Sequence, residues 1–189
     1  DPAKVNEVCC NMSPAFISGV EANCPGAHIT FDRFHIMKVP GDAVDQVRRE
    51  EAKTRPELAK SRYVWLKNRD KLPASQQERL TALTMSRLNL KTARAWQLKT
   101  TFQDLFQQAP GQAETFLKRW YFWATHCRLE PMKQAAATIK RHWDGILRWF
   151  TSRISNGILE GTNSLIQAAR SRARGYRSTK NLIAMIYLL

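Results

Sequence analysis

Residues 5–32 read VNEVCCNMSPAFISGVEANCPGAHITFD, and this stretch decides the fold. Val5 to Cys10 is apolar and β-prone, and Ile29 to Phe31 repeats that character after the Pro25-Gly26 turn. Between them, Ser13 predicts an N-cap, Pro14 suits the first helical position, and Phe16, Ile17 and Val20 supply one apolar face. Strand, helix and strand with a short crossover predict a βαβ unit with parallel strands. Two strands make no stable sheet alone, so strands before residue 1, or a second copy of the chain, are expected to complete it.

From Asp42 onward the pattern is helical. Asp42 predicts a cap for a helix carrying Val44 and Val47, which Pro56 ends or restarts. Ser75-Gln76-Gln77-Glu78 has capping-box spacing, with Leu80, Leu83 and Leu88 behind it. Helical spacing continues from Leu90 to Phe106 and resumes after Pro110-Gly111, where Thr115 to Cys127 is dense in aromatic residues. Beyond Pro131, the residues Ile139, Trp143, Ile146, Leu147 and Phe150 form a further apolar face. Five of the six tryptophans lie between Trp65 and Trp143, and the sixth is Trp149. This aromatic stripe reads as helix-packing core rather than as a platform for stacking bases. A late helix is expected from about Ile158 to Ala173, ended by Gly175, and Ser178 is placed to cap a last one.

Charge narrows the function. The 189 residues carry 30 Lys and Arg against 16 Asp and Glu, a net charge of +14. A polyanion is the natural partner, with nucleic acid before an acidic membrane surface. The excess is sharpest at the end: no acid follows Glu160, whereas Arg170, Arg172, Arg174, Arg177 and Lys180 do. No run of about eighteen uncharged apolar residues predicts a membrane span. Cys9, Cys10, Cys24 and Cys127 show no C-x-x-C spacing, which suits free thiols in a reducing cytoplasm. P-loop, nucleophile-elbow and H-E-x-x-H patterns are absent from the sequence.

Three places carry candidate chemistry. Glu160 is the one carboxylate in a basic neighbourhood, and Glu160, Asn163, Gln167 and Arg170 fall along one helical face, with Leu159, Ile166 and Ala169 left for packing. Such a carboxylate either holds a cation or proton near DNA, or forms a surface salt bridge to Arg153 or Lys180. Asp32 and His35 follow the second strand, at a position where open sheets place ligands; the spacing alone favours a helix cap and a packing histidine. Asn11 ends the first strand, where an amide also serves turn chemistry.

Four ordered segments then carry a resemblance. Asn11-Met12-Ser13-Pro14-Ala15-Phe16, Asp32-Arg33-Phe34-His35, Asn156-Gly157-Ile158-Leu159-Glu160-Gly161-Thr162-Asn163 and Ala173-Arg174-Gly175-Tyr176-Arg177-Ser178 occur with a helical insert of roughly 120 residues between the second and third. Together they resemble the C-terminal part of bacterial insertion-sequence transposases of the ISL3 type. The resemblance implies an α+β, predominantly α chain: a truncated ribonuclease-H-like core over residues 1–41, an α-helical insertion over 42–150, and core helices over 151–189 carrying the last catalytic acid. It also implies two Asp and one Glu holding two Mg²⁺ ions, for DNA cleavage and strand transfer.

Position by position, Glu160 resembles the last acid of that triad. The second acid falls at Asn11, where the family's motif usually reads Asp-Met-Ser, or, in another alignment, at Asp32. Asp32 and His35 also match the Asp/Cys-x-x-His signature after the next strand, and Asn163 belongs to the motif around Glu160. The first acid is expected on a strand before Asp1, so the resemblance implies a fragment, itself inactive, with weak or no Mg²⁺ binding through Glu160 and Asn11. DNA is the implied partner, through Arg170, Arg172, Arg174, Arg177 and Lys180. An open sheet edge further invites self-association. Two rival readings stay open: a non-catalytic basic nucleic-acid-binding module, and a helical protein-interaction module using the Trp-rich insert.

Overall fold

Strands β1 (Glu7–Cys10) and β2 (His28–Phe31) pair in parallel, from Glu7 opposite His28 to Cys10 opposite Phe31. Helix α1 (Pro14–Asn23) crosses between them. This is the expected βαβ unit, and its sheet has two strands among the described residues. The computed structural model describes residues 1–188, apart from the side chains of residues 158 and 159. Ser13 occupies the N-cap of α1, but its hydroxyl makes no capping bond. Asn11 Oδ1 accepts the N–H of Ser13 itself at 2.9 Å, an Asx turn that fixes the chain just before the helix.

Helix α2 (Arg33–Glu51) departs from expectation. Asp32 caps it, and Asp42 lies inside it. Pro40 lacks an N–H and costs an interior helix about 3 kcal/mol. Packing overrides that cost: Ile36, Pro40, Ala43, Val44 and Val47 recur at helical spacing and are all buried. The helix ends at Glu51, and Pro56 restarts the chain as a single 3₁₀ turn (Pro56–Leu58).

Short helices α3 (Arg62–Leu66) and α4 (Ala74–Leu83) lead to α5 (Lys91–Gln103), α6 (Pro110–His126), α7 (Glu130–Arg141) and α8 (Trp143–Ser152). Pro73, not Ser75, holds the N-cap position of α4, and no capping box forms. Gln77 instead donates from Nε2 to the Leu72 carbonyl at 2.9 Å. Helix α2 packs against α5 and α7. The core between the helices is rich in indole: Trp65 donates to Ser61 Oγ at 3.0 Å and Trp120 to the Leu98 carbonyl at 2.8 Å, so each buried ring keeps its polar atom satisfied.

Helix α8 covers β2. Gly145 lets it approach, because a Cβ there would sit 2.4 Å from Phe31 Cε2. Thr30 Oγ1 and Ser152 Oγ hydrogen-bond at 2.9 Å, and Arg148 Nε donates to Glu7 Oε1 at 2.9 Å, so α8 is tied to both strands.

The chain divides into two compact units, Asp1–Arg153 and Ile154–Leu189. In the second, α9 (Gly157–Arg172) ends at Gly175, whose φ is +98° and whose N–H donates to the Arg170 carbonyl at 3.0 Å. Ser178 Oγ then caps α10 (Thr179–Ile186) by accepting from Asn181 N. The Ser178 cap matches its sequence signal, and the stop at Gly175 is shared with Arg174, which takes the first left-handed position after the helix with φ +53°. The molecule as described is α+β and predominantly α.

Candidate functional site

Parallel strands followed directly by helices concentrate polar groups at their carboxyl ends. Asn11 and Asp32 are the first residues beyond β1 and β2, on neighbouring strands. The backbone there is pinned, because the Asp32 N–H donates to the Cys10 carbonyl at 3.0 Å. Asp32 is 5% exposed, and its Oδ1 accepts the Phe34 N–H at 2.8 Å, which starts α2. Asn11 is half-buried and makes the same two-residue bond, but to the N–H of Ser13, the N-cap of α1, so it shapes the turn before that helix. Both side chains therefore have a structural task, Asp32 as a helix cap and Asn11 in the turn before a helix, and both are held at one end of the sheet.

The surroundings are apolar on one side. Cys10 is buried, and burial pushes its thiol pKa up. Burial, then the Asp32 charge, push the Cys9 thiol up to about 11, so Cys9 stays protonated at neutral pH. On the other side, Phe34 is exposed and meets the half-buried His35 edge to face, with 5.4 Å between ring centres.

Whether this end fits two Mg²⁺ ions follows from its donors. Mg²⁺ requires hard oxygens in near-octahedral array and favours carboxylates. The two strand ends offer one carboxylate and one carboxamide, each with an oxygen already accepting a backbone N–H. Among the described residues, no group of three or more His, Cys, Asp or Glu side chains is arranged to hold a metal. The donor set of this unit does not by itself fit a two-metal centre.

In the second unit, Glu160 lies in the first turn of α9, where a carboxylate also complements the helix dipole. Glu160, Asn163, Gln167 and Arg170 are exposed along the helix at the expected spacing, while Ile166 and Ala169 are half-buried. The expected packing role of Leu159 lies outside the described side chains. Arg170, Arg172, Arg174, Arg177 and Lys180 are all exposed, spread over the end of α9, the turn and the start of α10. The four cysteines are free thiols. Among the described residues, no helix is long and apolar enough to cross a membrane.

Lys99 was not legible in the sequence as a special residue. It is 4% exposed, and its Nζ donates to the carbonyls of Trp65 and Leu66 at 3.0 and 2.9 Å, closing the end of α3. Burial lowers its pKa to about 8. No pattern in the sequence separates it from the other lysines.

Comparison with known proteins gives a consistent result. Residues 1–186 match the family model of ISL3-type DDE proteins, described as a transposase. The chain is 29% identical to the transposase for insertion sequence element IS1001 of Bordetella parapertussis, across 92% of this chain and 45% of that protein. It is 27% identical to the transposase for insertion sequence element IS1557 of Mycobacterium tuberculosis, across 98% of this chain and 48% of that protein. The chain thus spans about half the length of the curated relatives it matches. No solved structure matches it.

Proposed function

The chain belongs to the ISL3-type transposase family, and from that premise we propose that it is part of the catalytic region of a DNA transposase, with residues 1–41 and 151–189 contributing to a ribonuclease-H-like core and residues 42–150 forming an insertion within it. The observation that carries this reading is the placement of Asn11 and Asp32 at adjoining carboxyl ends of two parallel strands. The parent reaction in this reading is metal-dependent DNA cleavage and strand transfer. Glu160 is the proposed last acid. The second acid position falls at Asn11 or at Asp32.

This chain's own residues do the following in that reading. Asp32 contributes a carboxylate, one oxygen of which caps α2. Asn11 offers an amide oxygen without a negative charge. Arg170, Arg172, Arg174, Arg177 and Lys180 neutralise phosphates and hold the DNA without reading its sequence. Because the donor set of the strand ends does not fit two metals, the chain alone binds DNA and does not cut it.

The test combines duplex binding with nicking of a supercoiled plasmid in Mg²⁺. Salt-sensitive binding without nicking is expected. Nicking by the wild type would overturn the inactive part of the reading, and nicking that survives both Asp32→Asn and Glu160→Gln, or no binding even at low salt, would overturn the whole of it.

A further inference from the structure

The aromatic run of α6 divides between two faces. Trp120 is buried in the core, whereas Phe122 and Trp123 are 65% and 42% exposed. Arg119, Phe122, Trp123 and His126 follow one another at helical spacing and are all exposed. His126 lies nearly flat against Phe122, with 4.1 Å between ring centres and 30° between planes, so the two rings make one aromatic surface. Burying a large apolar side chain stabilises a fold by about 1.5–3 kcal/mol, a gain that this face leaves unused.

Trp123 and His126 also line a recess of about 340 Å³ together with Arg94, Gln97 and Arg128. No acidic residue lines it. Arg94 and Arg128 are shared with an adjoining groove of about 580 Å³, to which Arg55 and Lys91 add positive charge. That groove also has Glu50, Glu51 and Glu130 in its walls. Glu51 is occupied in capping α5, accepting from the Lys91 and Thr92 N–H groups at 2.8 Å and from the Thr92 hydroxyl at 2.7 Å. Cationic donors and exposed ring faces therefore meet in an acid-free recess.

We propose that this face of α5 and α6 is a site for single-stranded DNA, with an unpaired base stacking on Trp123 or on the Phe122–His126 surface and its flanking phosphates held by Arg94 and Arg128. In a duplex each base is covered by its neighbours and offers no free face, so stacking selects unpaired nucleotides. The inference rests on the DNA-binding reading above. It adds a second DNA contact within Asp1–Arg153, chemically different from the tail arginines.

The experiment measures binding of the whole chain to a labelled oligothymidylate of about 20 nucleotides, long enough for a single-strand site, and to a duplex of the same length. The Phe122→Ala/Trp123→Ala double variant is expected to lose about tenfold in single-strand affinity with duplex affinity unchanged. Trp123→Phe, which keeps a ring to stack on, retains single-strand binding, and circular dichroism of each variant checks that the helices are intact. Unchanged single-strand affinity in the double variant overturns this inference while leaving the DNA reading in place. Failure of the wild type to bind either nucleic acid overturns both. A double variant that loses self-association while keeping single-strand affinity makes the face a protein contact, which also overturns the inference.

Discussion

Asn11 and Asp32 occupy the next rung of the parallel β1–β2 ladder beyond its last pair, Cys10 with Phe31. Each turns a side-chain oxygen onto the N–H two residues ahead, at 2.9 and 2.8 Å. One arrangement thus serves two ends: it shapes the chain where each strand passes into its helix, and it anchors two oxygen-bearing side chains at the ends of neighbouring strands. Capping and chemistry separate on substitution. Asp32→Asn keeps an oxygen for the Phe34 N–H and changes stability little, while Asp32→Ala loses the cap and costs about 1 kcal/mol. Urea unfolding of the two variants checks this, and equal losses would mean that the carboxylate charge, not the cap, matters to the fold.

Asn11→Asp tests the site itself. An aspartate there still accepts the Ser13 N–H, so the start of α1 survives. Neighbouring strands lie about 4.8 Å apart, so the new carboxylate stands close to Asp32 and the two repel. A divalent cation relieves that repulsion. Thermal melting in Mg²⁺ should raise the Tm of Asn11→Asp more than that of the wild type, with plasmid nicking still absent. An identical Mg²⁺ response in both proteins would place the two side chains too far apart to share a cation.

Gly145 is constrained by its neighbour rather than by its backbone. An added Cβ would meet Phe31 Cε2 and Cδ2 at 2.4 and 2.5 Å and the Ile29 carbonyl at 3.2 Å. Phe31 is buried and packs edge to face on His142, so its ring has little room to yield. Gly145→Ala is therefore expected to destabilise the fold by about 1–3 kcal/mol. Adding Phe31→Leu should recover part of the loss by shortening the obstructing side chain. Urea midpoints of the single and double variants measure both effects, and the contact is refuted if the single variant melts like the wild type.

These particulars show where the sequence was readable. The βαβ unit, the Gly175 stop and the Ser178 cap were legible because each rests on chemistry within a few residues. Asn11 and Asp32 could be placed at strand ends for the same reason. The start of α2 was not, since Pro40 and Gly41 argue locally for a break and only the burial of Ile36, Pro40 and Val44 against other helices carries the helix through. Ser75 failed in the opposite sense: a correct spacing, with the N-cap at Pro73 and the helix beginning two residues earlier. The aromatic run of α6 was read as core, which holds for Trp120 and not for Phe122 or Trp123. Helical period alone does not say which aromatic meets a partner helix.

Lys99 gives the fold an alkaline signature. Its pKa falls from the ordinary 10.5 to about 8 on folding. Between those values the unfolded chain holds a proton that the folded chain has released, so stability rises with pH across the window. Cys9 acts in the opposite direction: its thiol rises from 9.0 to about 11, the unfolded chain loses that proton first, and stability falls above pH 9. The two effects overlap above pH 9, which makes pH 8–9 the clean interval. There the stability of the wild type relative to Lys99→Met should rise with pH, by at most about 1.4 kcal/mol per unit. Chemical denaturation at several pH values reads it directly, and a flat difference would mean that the amine is not desolvated.

The basic tail makes the last prediction. Five exposed cations follow Glu160 without an intervening acid, and phosphate neutralisation releases counterions, so log affinity for duplex DNA falls with log salt by about 0.9 per phosphate contacted. Replacing Arg170, Arg172 and Arg174 together should weaken binding at low salt and flatten the slope by about 2–3. Arg174 supplies an internal control for folding. Its φ is +53°, a left-handed conformation that costs an L residue about 1–2 kcal/mol and glycine almost nothing. Arg174→Gly thus removes a charge while easing the backbone, and a fall in affinity for that variant reflects a lost phosphate contact and not a loosened turn. Filter binding across a salt series provides the measurement. A slope that is the same in the triple variant and the wild type would move the DNA contact away from this tail.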